Sequence, residues 1–116
     1  MKQQLQLEKV LCLPGKTRDE QMALFALLNL GVIESLANGV LSSTEAIQLL
    51  YHADNCLFVR KQLKSRIADE IMSRGVQLPD LFDALPSATS HREFQHELTV
   101  MRSLCLRLLQ RKQRVA

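Results

Sequence analysis

The chain has 116 residues, 47% hydrophobic and 23% charged, with a net charge of +3. That length fits one domain with a single core, and the apolar fraction excludes a disordered chain. Only 4% of the residues are aromatic and none is Trp, so the core must come from Leu, Ile, Val, Ala and Met, which favours helix over strand.

Residues 1–16 read as an N-terminal arm that fits either a short helix or an extended segment. Leu5 and Leu7 alternate, Val10, Leu11 and Leu13 cluster, and Pro14-Gly15 breaks the chain. Thr17-Arg18-Asp19-Glu20 is a capping box, in which the hydroxyl accepts from the Glu20 amide and the carboxylate reaches back. The helix it opens runs to about Ala37 and stops at Asn38-Gly39. Apolar residues nearly encircle it from Ala23 to Ile33, which predicts the central, most buried helix. Asn29 inside it suits either a hydrogen bond to a neighbouring backbone group or a role in fixing register.

Ser42-Ser43-Thr44-Glu45 is a second box, opening a helix of about three turns that Asp54-Asn55 interrupts. A third helix is predicted from about Asn55 to Arg74, ending at Gly75, with Cys56, Val59, Leu63, Ile67 and Ile71 as its buried stripe. Pro79 and Pro86 bracket a short helical turn. Ser90-His91-Arg92-Glu93 reads as a third box starting the last helix, which runs to about Arg111. The expected fold is all-α: one domain, a compact antiparallel bundle of four main helices plus one short helix.

The stretch Gly31-Val32-Ile33-Glu34-Ser35-Leu36, then Asn38-Gly39 and Ser42 through Ala46, resembles short bacterial all-helical proteins of unknown function. The resemblance implies a bacterial source and a helical fold, and no activity.

Several chemical constellations fall short. Gly15-Lys16-Thr17 resembles the end of a P-loop, but Val10 stands where that loop needs its first glycine. Glu93-x-x-His96 has di-iron spacing, but such sites take two of these motifs and further glutamates. His52 and Cys56 share a helix face without the four ligands of a zinc site or the third group of a nucleophile pair. The residues therefore assign no catalytic group, cofactor or metal.

The last helix carries Phe94, Leu98, Met101, Leu104, Cys105, Leu108 and Leu109 on an arc wider than one packed side requires. These residues are the expected interface of a homodimer or of a complex with another protein. The alternative is a helix-turn-helix-like nucleic-acid-binding regulator using Arg60, Lys61, Lys64, Arg107, Arg111, Lys112 and Arg114. Six of the chain's fifteen cations lie in residues 91–116 against two carboxylates, a bias that also suits a helix C-terminus. Three scattered cysteines, Cys12, Cys56 and Cys105, and no apolar run long enough to span a bilayer give the expectation of a cytoplasmic protein without membrane contact.

Overall fold

The computed structural model describes residues 4–84 and 86–113, with 83–84 and 111–113 as backbone alone. Among these residues every regular element is helical: α1 Leu7–Leu11, α2 Arg18–Ala37, α3 Ser43–Leu49, α4 Ala53–Phe58 continuing into a π-helical turn Val59–Leu63, α5 Arg66–Gln77, α6 Asp80–Ala84 and α7 Ser87–Gln113.

Local chemistry sets the first boundaries. Both reciprocal boxes form: Thr17 Oγ1 accepts from Glu20 N at 3.2 Å, and Ser42 Oγ accepts from Glu45 N at 3.0 Å, each with the glutamate bonded back to the cap amide. After Asn38 closes α2, Gly39 takes the left-handed conformation at φ 73°.

Several expected boundaries are corrected, beginning with the helix opened at Ser42, which ends at Leu49 and leaves Asp54-Asn55 inside α4. The predicted helix from Asn55 to Arg74 is two helices. The chain turns at Lys64, with φ 49°, and Ser65 caps α5 by accepting from Ala68 N at 3.2 Å. The turn is held from outside, because the Arg18 guanidinium donates to the carbonyls of Leu63 and Lys64, where a cation complements a helix C-terminus. The box at Ser90 does not form either. The α7 helix begins a turn earlier, after Pro86, so Ser90 lies inside it, buried, with its hydroxyl donating to Ser87 O at 3.0 Å.

Gly75, expected to end a helix, sits within α5 for a packing reason. A Cβ there would lie 2.6 Å from atoms of the Tyr51 ring, so only glycine lets α5 lie against that ring. Tyr51 in turn donates its hydroxyl to Asn29 Oδ1 at 2.9 Å, and Asn29 Nδ2 donates to Phe25 O at 3.0 Å. This buried chain of polar groups joins α2 to the α3–α4 junction with each donor matched to an acceptor. Burial raises the Tyr51 phenol well above its ordinary value, with smaller contributions from Cys105 and Cys56 in the same direction.

The main packing pair is α2 with α7, and α7 also covers α5 and α6. Arg74 bridges α5 to α7, donating to both carboxylate oxygens of Glu97 at 2.8 and 3.0 Å and to Glu70 at 2.8 Å. The result is an all-α helical bundle whose core lies between α2, α5 and α7.

Candidate functional site

Three places could carry function: a cleft beside Tyr51, the surface cations, and the outer side of the α2–α7 pair.

The cleft, about 590 Å³, opens between α3, α4 and α5, a size suited to a small ligand or a few side chains. Ile47, Met72 and Val76 give it an apolar wall, and Arg60 and Asp69 face each other at its rim, 3.9 Å apart. His52 and Cys56 both line it, yet each is bonded to backbone rather than to the other. His52 Nε2 lies 3.0 Å from Leu5 O, and since a carbonyl only accepts, this nitrogen carries the proton. Cys56 Sγ donates to Tyr51 O at 3.6 Å. Burial pushes the Cys56 thiol up, against the opposing charge of Arg60 and with a further push from Asp69. The sulfur is thus a neutral donor, not an activated thiolate. The cleft has the character of a receptacle rather than a reaction centre.

The described cations of the nucleic-acid alternative sit on two parts of the chain. Arg60 and Lys61 are exposed on the π-helical turn and Lys64 on the bend after it, while Arg107 is exposed on α7, and the π-helical turn packs mainly on α4 and α5. Arg111 and Lys112 lie on the backbone-only end of α7, and Arg114 lies outside the described residues.

The expected interface residues are placed inward. Phe94, Leu98, Met101, Leu104, Cys105 and Leu108 are all buried within the single chain, and Leu109 is partly buried beside them. The wide arc is covered from three sides by α2, α5 and α6. Burial pushes the Cys105 thiol up to about 12, as an apolar surround disfavours a thiolate.

The exposed large apolar residues lie elsewhere: Leu13, Leu27, Val40, Leu57, Val76, Phe82 and Leu106. At about 100° per residue, Phe25, Asn29, Val32, Ile33 and Leu36 point into the core from one side of α2. Ala23, Leu27, Leu30 and Gly31 turn the other way. Leu27 is 55% exposed, and only 33% of the helix's most apolar stretch is buried. By length and composition α2 could cross a membrane, which corrects the expectation drawn from its shorter apolar run; here its inner side packs in the core.

A neighbouring helix adds to this side. Glu34 and Arg102 approach to 3.3 Å, and Leu36 and Ala37 share a hollow with His91, Phe94 and Gln95. The two helices therefore run antiparallel. One turn past Arg102, Leu106 comes level with Leu30, and Leu109 with Leu27. Leu106 is 42% exposed. By this register the exposed leucines of the two helices, Leu27 and Leu106, lie on the same side of the α2–α7 pair as Glu34 and Arg102. Sequence reasoning missed this side because an encircled helix offers no polar side to mark its outer surface.

The family of proteins of unknown function designated DUF3969 has a model that matches residues 16–116. The chain belongs to that family. No curated protein and no solved structure matches it.

Proposed function

We propose that this DUF3969 member is a non-enzymatic protein–protein interaction module that forms a homodimer through the outer side of α2 and the adjoining edge of α7. The observation that carries the reading is the exposure of Leu27 and Leu106 on the same side of the α2–α7 pair. Water contact with these leucines is unfavourable, and a second copy covers them when a two-fold axis lays like on like. The acid–base pair on that side adds a polar rim, as interfaces commonly have. The three free thiols, one of them exposed, suit a reducing cytoplasm.

Light scattering coupled to size-exclusion chromatography, run across protein concentration, tests the proposal. The mass is expected to rise to that of a dimer. Leu27→Glu and Leu106→Glu are expected to hold the chain as a monomer with unchanged helical circular dichroism. A monomer at every concentration, or a dimer indifferent to both substitutions, would overturn it.

A further inference from the structure

The N-terminal arm is held by hydrogen bonds to its backbone as well as by apolar burial. The α1 helix has only five residues, too few to be helical alone in water, so its helical form depends on the groove between α2 and α4 in which it lies. Leu7 and Leu11, four apart and therefore on one side, are both fully buried there. Each polar contact just ahead of them reads arm backbone. Asn55 Oδ1 accepts from Leu7 N at 3.0 Å, and Asn55 Nδ2 donates to Leu5 O at 2.8 Å. His52 Nε2 donates to the same carbonyl, and Leu5 N donates to Leu49 O at 2.8 Å. Asn55 is itself only 2% exposed; its Oδ1 and Nδ2 bracket the extended Gln6, and Nδ2 also donates to Leu50 O at 2.8 Å. Beyond the arm the chain passes through Leu13, Pro14 and Gly15, all exposed. Gly15 sits at φ 84°, a conformation that this turn needs and glycine accepts. The stretch matched to the family begins just past this turn.

We infer that the groove is a peptide-docking site for an extended residue followed by a Leu-x-x-x-Leu helical turn. The chain's own arm fills it in cis, where its tether keeps it ahead of a second copy's arm, and an untethered copy of the same segment fills it in trans. Backbone hydrogen bonds set the register, while the two leucine pockets set the sequence, the division of labour common to peptide grooves. The exposed turn at Leu13 to Gly15 is the hinge about which the arm leaves, and exchange of such an element is a low-cost route between copies. This inference is independent of the outer side of the α2–α7 pair.

The test uses the full chain with a protease recognition sequence replacing Leu13-Pro14-Gly15, cleaved after folding. A fluorescein-labelled synthetic peptide of residues 4–15 is then added, and its anisotropy is followed. Saturable uptake is expected, competed by unlabelled peptide, with the helical signal of the cleaved chain retained. A peptide carrying an ester in place of the Gln6–Leu7 amide lacks the donor to Asn55 and is expected to bind about tenfold more weakly. A Leu7→Asp peptide is expected to lose uptake altogether. Collapse of the helical signal on cleavage, absence of uptake, or equal binding of all three peptides would each overturn the inference. None of these outcomes depends on Leu27 or Leu106, so the dimer proposal stands or falls separately.

Discussion

The two sides of α2 are built from similar residues and have opposite surroundings. The inner side buries Phe25, Ile33 and Leu36 and carries the one polar residue, Asn29, bonded to Tyr51. The outer side presents Leu27, with Leu30 partly covered, and places Gly31 against open space. A helix apolar all round has no hydrophobic direction of its own. Its orientation must come from elsewhere, and here the specific contacts supply it: Asn29 needs the Tyr51 hydroxyl, and Tyr51 needs the gap left by Gly75. Hydrophobicity brings α2 into the globule, and polar and steric matching decides which way it faces.

The largest expected effect tests that contrast directly. Phe25→Ala should cost about 4 kcal/mol through lost burial and the cavity left behind. Leu27→Ala, two residues on, should change stability by no more than about 0.5 kcal/mol. Urea denaturation at low protein concentration measures both. Similar losses at the two positions would mean that the outer side is core as well, and the contrast would fail.

A second substitution addresses the steric half of the argument. Alanine normally favours a helix interior over glycine by about 1 kcal/mol. At Gly75 the new methyl would meet the Tyr51 ring at 2.6 Å, and the ring is tethered through its hydroxyl to Asn29. Moving the ring loosens the bond that orients α2. The expected net loss for Gly75→Ala is about 2 kcal/mol despite the propensity gain. In a domain of this size that lowers the melting temperature by roughly 10 °C. An unchanged melting temperature would show that the ring gives way freely and does not fix α2.

The same division between local and non-local causes separates what was legible in the sequence from what was not. Thr17-x-x-Glu20, Ser42-x-x-Glu45 and Asn38-Gly39 are self-contained chemical units, and each forms where it was read. The short helix between Pro79 and Pro86 is equally local. The break at Lys64 was hidden because a lysine at positive φ carries no sequence mark, and the apolar spacing from Cys56 to Ile71 runs through it without a gap. What stabilises that break is Arg18, more than forty residues away. The spacing on α7 correctly marked an apolar arc, but whether a second copy or the chain itself covers that arc is a tertiary question, and α5 and α6 answer it. Asn55, the centre of the arm groove, read only as part of a helix interruption, since its arm partners Leu5 and Leu7 become neighbours through folding alone.

Gly31 gives the smallest and most discriminating effect. It lies in the middle of α2 with helical backbone, and nothing lies within 4 Å of where its Cβ would stand. Alanine there should therefore deliver the ordinary helical gain, a stabilisation of about 1 kcal/mol, seen as a higher urea midpoint with an unchanged slope. The result is opposite in sign to Gly75→Ala although both changes add one methyl group to a helical glycine. If the outer side of α2 meets a second copy, the added methyl also enters that contact, so Gly31→Ala should raise the stability of the dilute monomer while weakening association. A variant that is more stable and equally associated would place the dimer contact away from Gly31, towards Leu106. One that is less stable when dilute would mean that the outer side is closed by the chain itself.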